Sequence, residues 1–508
     1  MSALYEPVEV EFVGPARAIP ATRAPFTLIA RNGATTLTVP GFWDGGRRYL
    51  ARFLPETPGE WTWSTTSDAT ELSGRSGAVR VSGVRGSGPV RVASGFHFAH
   101  ADGTPHRPVG TTAYNWLHQR DAEMRATVED IARAGFNRLR FMVFPQAGGY
   151  VTSVPDLMPF EQDEHGAWDV SRPVPAFFRR LDRAVEMLGD HGIQADILIL
   201  NAYDNGRFGL AELSEEDDAA YARYLVARLS AYPNVWWSMC NEYDILDRPR
   251  ERWDRLGQLV ADVDPHDHLR SIHNLTELFD HNRPWITHAS IQNGHATTDF
   301  GRAVLYRDVY RKPIVLDEIK YEGDIALRWG HLTAEELVDQ FWIATVSGCY
   351  ASHGESFERP DGSLHMVAGG RLQGRSPARL GFLRCILDGI DGPGLDPVDK
   401  WDDPEFVAGM PRHQYLRYFG RSAPAQWRFR LPQATASGDR LEPGDAFEVD
   451  IIDTWHMTVT PVGRRFVLDD VQRNEAFATA AEPVALPAGE AIALRITRTA
   501  GGTEAGSR

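Results

Sequence analysis

The chain has 508 residues, 43% hydrophobic and 24% charged, which is globular usage with length for several domains and a large core. Its 69 acidic against 53 basic residues give a net charge of −16, which counts against nucleic acid or an anionic membrane surface as partners. Three cysteines frame no disulfide scaffold, no apolar run nears the ~20 residues of a membrane span, and the start MSALYEPVEV reads as no secretory signal, so a cytoplasmic location is expected.

Residues 1–94 read as an N-terminal β-sandwich. VEVEFVG, FTLIA, TTLTVPGFW, RRYLARFLP, EWTWSTT and GAVRVSG are short alternating or β-branched runs separated by Gly, Pro, Ser and Asp. From 95 to 410 the pattern changes to α/β. Strands are expected at 107–113, 137–144, 193–200, 235–240, 269–274, 286–292, 313–319 and 349–355. Between them lie helical faces, such as Phe177, Leu181, Val185 and Leu188, or Trp253, Leu256, Val260 and Val263. Eight evenly spaced strands alternating with helices point to a (β/α)₈ TIM barrel rather than a doubly wound sheet. Residues 411–508 return to strand patterns, AFEVDIIDTW and AIALRITRT among them, and read as a C-terminal β-sandwich. The flanking sandwiches are placed to pack on the barrel or to mediate homo-oligomers.

In such a barrel, chemistry sits at the carboxyl ends of the strands. Those ends hold Tyr114, Asn115 and Trp116; Asn201, Tyr203 and Asp204; Asn241 and Glu242; His273; Gln292, Asn293 and His295; Glu318 and Tyr321; His353 and Glu355. Carboxylates, amides, imidazoles and aromatic rings together suit a polyhydroxylated ligand, with Trp116 as a candidate stacking ring. Glu242 and Glu318 are the leading pair, because strands four and seven face each other across a barrel and glycoside hydrolysis needs two carboxyl groups flanking one bond. Asp317, next along the strand, is expected to point outward under the helices.

The residues VWWSMC-Asn241-Glu242 resemble the Asn-Glu signature of the retaining (β/α)₈ glycosidase clan, and KPIVLDEIKYEG resembles its nucleophile strand. FHFAHADGTPHRPVGTTAYNW resembles the opening of apiosidase-like glycoside hydrolase barrels, and PGFWDGGRRYLARFLPETPGEW and YLRYFGRSAPAQW resemble the sandwiches that flank them. The resemblance implies a retaining O-glycosidase with Glu242 as acid/base, Glu318 as nucleophile and Arg140 holding that nucleophile ionised. It implies substrate contacts from Tyr114, Asn115, Trp116, Asn201, Asn241, His273, Gln292, Tyr321, His353 and Glu355. The clan's usual strand-six Tyr and strand-eight Trp are missing, and Tyr321 is a substitute phenol. The expected substrate is a small glycoside or oligosaccharide, cut from an end. Two other readings stay open: a non-catalytic sugar-binding barrel, and an inverting enzyme with a different base such as Glu355. No His or Cys spacing matches a zinc motif and no Gly-rich loop matches a nucleotide site, so neither metal nor cofactor is expected.

Overall fold

The structure, a computed structural model, describes residues 2–16, 26–152, 155–204, 206–294, 296–298, 300–398, 406–432, 441–469, 471, 477–487 and 489–499. His295 lies outside them. At its centre run eight strands, numbered one to eight: Gly110–Thr112, Arg138–Met142, Gln194–Asn201, Val235–Asn241, Arg270–Ser271, Ala289–Gln292, Ile314–Glu318 and Tyr350–His353. They pair in parallel in the order five-four-three-two-one-eight-seven-six. A parallel bridge between His273 and Ser290 joins strand five to strand six and closes the ring. The architecture is the expected (β/α)₈ barrel with sheet-rich regions at both ends of the chain. Strands two, three and four are buried at every residue, as strands must be when helices cover one face and a packed interior the other.

The helices follow local rules. Pro175–Asp190 opens with proline at its first position, where the missing N–H costs nothing, and buries Phe177, Phe178, Leu181, Val185 and Leu188. Glu215–Leu229 and Ala334–Val346 are capped by Ser214 and Thr333, each accepting a backbone N–H three residues on. The link from strand five to strand six carries no helix.

A three-stranded sheet, Val90–Ala93, His97–His100 and Pro105–His106, precedes the barrel. Its Phe98 packs on Trp236 and Tyr350 with ring centroids 5.2 and 5.4 Å away. Both partners stand at the beginnings of their strands, so this sheet plugs the barrel's amino end. At the N-terminal side, a five-stranded and a three-stranded sheet enclose Phe12, Leu28, Tyr49, Phe53 and Trp61. This sandwich is bound to the barrel by buried charge. Arg52 lies 2.9 Å from Asp182, and Arg228 lies 2.7 Å from Asp182 and 2.9 Å from Asp44. The last sheet is six-stranded and begins with Asp396–Pro397 and Phe406–Met410. Tyr418 of this sheet stacks on Trp342 and donates to Asp339 at 2.6 Å.

The barrel interior corrects one expectation. Asp317 does not point outward. It accepts hydrogen bonds from Arg138, from Ser352 at 2.8 Å and from Ser290 at 2.5 Å, all inside the ring. The cause is a bulge: Leu316 pairs with Ile291 and Glu318 with Gln292, leaving Asp317 as an extra residue in strand seven. A bulge breaks the pleat's alternation, so two consecutive acidic side chains turn inward.

Candidate active site

Glu318 closes strand seven at the carboxyl end of the barrel, with 11% of its side chain exposed. Its contacts gather on one oxygen, Oε1. Tyr114 donates its hydroxyl there, and Asn241 Nδ2 reaches it at 3.5 Å. Arg140 Nη1 stands 3.6 Å and His273 Nε2 3.5 Å from the same atom. Burial raises the Glu318 carboxyl, but His273, Arg140 and the Tyr114 hydroxyl outweigh it, leaving the group below its ordinary 4.5. Arg140 is fully buried, and none of its guanidinium nitrogens has a hydrogen-bond partner among the described residues; its charge is met by Glu318 and by Asp196 at 3.8 Å.

Glu242 follows strand four and is 7% exposed. Its backbone is left-handed, with φ 49° and ψ 57°, a strained conformation for a residue with a β-carbon. Burial foremost, then the nearby Glu318 anion, pushes its carboxyl up to about 8, against the pull of hydrogen bonds from Tyr203 and Gln292. The two glutamates thus share one mouth and are driven in opposite directions. At neutral pH one is protonated and the other ionised, the state that acid and nucleophile need.

The supporting residues form linked pairs. Asn241 donates to the Tyr203 hydroxyl at 3.0 Å, and Asn201 holds Tyr203 by accepting its backbone N–H at 2.9 Å. Asn201 is itself fully buried, also donating to the Phe144 carbonyl at 3.1 Å, so it positions the loop rather than meeting a ligand. Asn115 does the same for Gln146, through bonds of 3.2 and 2.6 Å. His273 Nδ1 meets Ser290 at 3.0 Å and its Nε2 meets Gln292 at 3.3 Å. Because Ser290 gives its proton to Asp317, it can only accept from His273, which fixes the ring with Nε2 toward Glu318.

Three expected contacts fall away from the mouth. Trp116 is fully buried, its indole donating to the Met124 carbonyl at 3.0 Å and its ring edge against Phe141, so no sugar can reach it. His353 lies on the outer side of strand eight, against Phe136 and Thr111, because the pleat turns Ser352, not His353, inward. Glu355 is buried beneath the loop at 373–374, whose amides it accepts. The aromatic lining comes instead from Tyr114, Tyr203 and Tyr321, with half-buried Tyr150 and Trp329 beside them. Trp329 packs edge-on to Tyr321 at 5.8 Å and to Tyr150 at 6.5 Å. Neither Tyr150 nor Trp329 stands at a strand end, so the search of strand ends passes over them. Tyr203 does stand there, but nothing in its neighbours tells its role.

A ring of eight parallel strands that brings two opposed carboxyls to its carboxyl end is the plan of a (β/α)₈ glycoside hydrolase, and this chain is related to that group of enzymes. More narrowly, the chain belongs to the family described as Apiosidase-like, catalytic domain, which matches residues 93–355. Two domains of unknown function, DUF5060 and DUF5605, match residues 2–68 and 401–497. The structure is similar to a crystal structure from Bacteroides vulgatus described as a "putative glycoside hydrolase". That chain is 33% identical, with TM-score 0.92, and the match covers 98% of this chain and 99% of that one. A family 5 glycoside hydrolase from Bacteroides vulgatus shares the fold at 15% identity and TM-score 0.59, over 81% of this chain and 94% of that one. No curated protein matches the chain. Among the described residues, no helix is long and apolar enough to cross a membrane.

Proposed function

We propose that the protein hydrolyses a glycosidic bond with retention of configuration, by double displacement, on a small glycoside or the end of an oligosaccharide. The observation that carries this reading is the opposed drive on the two carboxyls: Glu242 raised to about 8 and Glu318 lowered, in one mouth.

Glu318 attacks the anomeric carbon while Glu242 passes its proton to the departing oxygen. A covalent glycosyl ester forms and the leaving group departs as an alcohol. With the Glu318 anion consumed, Glu242 loses its main charge repulsion and takes a proton from water. That water attacks the same carbon, releasing the sugar and restoring Glu318. Because the contacts of Glu318 gather on Oε1, Oε2 is the oxygen that attacks. Tyr114 and Arg140 steady the carboxylate before and after. Asn241, between Tyr203 and Glu318, is placed to donate to a sugar hydroxyl next to the reacting carbon.

The near-enclosure of both carboxyls supports end-on rather than mid-chain cutting. The burial of Glu355 under the loop at 373–374 counts against it as the base of an inverting enzyme. The decisive experiment follows the first-formed anomer by NMR on an aryl glycoside series, furanosides included. A product of the substrate's own configuration agrees with the proposal, and the opposite anomer rejects it. Glu318→Ala supplied with azide should yield a glycosyl azide of inverted configuration.

A further inference from the structure

Outside the mouth, two carboxylates and an imidazole meet where the chain leaves strands seven and eight. Glu322 and Glu355 pair as neighbours in a short parallel ladder. Donor atoms of Glu322, His353 and Glu355 all lie within 4.8 Å of one another, and the three residues are 3%, 0% and 0% exposed. Among the described residues, no Lys or Arg is within ion-pair distance of either carboxylate; Arg359 acts on Glu355 only from farther off.

Neutral donors do reach them. Glu355 accepts the N–H groups of Gln373 and Gly374 at 2.7 and 2.8 Å, and Glu322 those of Arg375 and Ser376 at 2.8 and 3.0 Å. Gly374 permits this approach, since a β-carbon there would stand 2.3 Å from one carboxylate and 2.7 Å from the other. The Ser376 hydroxyl donates to the same Glu322 oxygen as its N–H, and the other three carboxylate oxygens each keep a lone pair. Neutral donors alone leave two buried anions without a counter-charge, an arrangement that costs several kcal/mol per ion unless a cation or proton joins them.

His353 supplies the independent sign. Its Nδ1 is paired with the Thr111 hydroxyl at 2.8 Å. Its Nε2 is buried with no hydrogen-bond partner and faces Glu355 Oε1 at 3.8 Å. That is too long for a hydrogen bond. It falls within the ~3–4.2 Å that separates two ligands of one ion bound at ~2.1 Å. A second ring nitrogen held by a hydroxyl is also how metal-binding imidazoles are oriented.

We propose that Glu322, His353 and Glu355 form a structural site for a first-row divalent transition ion of the Mn²⁺ or Zn²⁺ type, completed by water. One imidazole with two carboxylates favours such an ion over Ca²⁺ or Mg²⁺. The two negative charges are then balanced. The ion staples the loops after strands seven and eight to the start of the last helix, Ser376–Asp388. Tyr321, next to Glu322, is thereby held against Gly354 and beside Tyr114. The ligands are His353 at the end of strand eight, Glu355 two residues on and the distant Glu322, a spacing that matches no zinc motif in the sequence.

The test uses the full chain, made without a polyhistidine tag and purified without chelator. Elemental analysis should find about one transition ion per chain. Calorimetry should show Tm falling by ~5 °C or more with EDTA, and recovering with Mn²⁺ or Zn²⁺ but not Ca²⁺. Glu355→Gln, checked for native circular dichroism, should hold no ion. The proposal is overturned by less than about 0.1 ion per chain together with a Tm that neither EDTA nor millimolar Mn²⁺ or Zn²⁺ moves. That outcome assigns the pair a shared proton instead. An ion that persists in both Glu355→Gln and His353→Ala, or recovery with Ca²⁺ alone, overturns it equally.

Discussion

Asp317 and Glu318 are consecutive residues with opposite surroundings. Asp317 lies in an interior layer where both of its oxygens are answered: Arg138 donates to Asp317, to Ser352 and to Asp196 at 3.0 Å, and Ser290 completes the set, while Arg138 Nε and Asp196 Oδ1 have no partner among the described residues. One step nearer the mouth, Arg140 has charge partners but no hydrogen bond, Glu318 is held by one oxygen, and Glu242 sits on a strained backbone. Both layers are buried and both pair arginine with carboxylate. Burial and charge therefore do not mark a reactive site; the layers differ in how far arginine and carboxylate are hydrogen-bonded, Arg138 through both terminal nitrogens and Arg140 through none. The more fully bonded network rigidifies the barrel, while the less bonded one keeps capacity for a substrate.

The contrast is broken or sharpened by substitution. Glu318→Ala should lower kcat/KM by about four orders of magnitude with the chain still folded, and Glu242→Gln by ~10²–10⁴ for substrates with poor leaving groups. Steady-state kinetics on aryl glycosides of graded leaving-group pKa separates the two roles. Asp317→Asn should instead act on stability. Removing one of the two carboxylates that meet the buried Arg138 charge costs about 3 kcal/mol, and urea unfolding should show at least ~2 kcal/mol more loss than for Glu318→Gln. Equal losses for the two variants would erase the distinction between the layers. Tyr114→Phe removes one hydrogen bond to an ionised carboxylate and should cost about 10- to 100-fold in kcat with little change in Tm.

The smallest effect is on pH. Glu242 must be protonated, so the rate should fall as pH rises through about 8. Glu318 must be ionised, so the rate should fall on the acid side only below the ordinary 4.5. The Tyr203 hydroxyl favours the charged form of Glu242. Tyr203→Phe should therefore move the alkaline limb of kcat/KM to higher pH while changing the plateau less than about threefold.

Much of this was legible before any coordinates. Six of the eight barrel strands fall inside the expected segments and the other two overrun theirs by one residue, at Asn201 and Asn241, because strands buried on both faces read as apolar runs with sharp polar ends. Glu242 and Glu318 stand out in the sequence because each ends such a run, and the structure brings both to one end of the barrel. The misses have one common source. Trp116, His353 and Glu355 were chosen for standing near a strand end, but nearness does not settle which side of the sheet a residue faces. Asp317 went wrong through a bulge, since one inserted residue reverses the alternation that the sequence otherwise displays. Trp329 reaches the mouth from a loop, where no periodicity announces it.

The ionic lock of Arg52, Asp182, Arg228 and Asp44 carries a practical corollary. Two of its four members belong to the first hundred residues, and the amide of Leu54 also donates to His266 at 3.1 Å deep in the same seam. A shortened version starting at the barrel would inherit half a circuit of charges with nowhere to discharge, and an open floor besides. The leading sandwich is thus less an accessory than a missing wall of the catalytic unit, and the two should melt in a single transition.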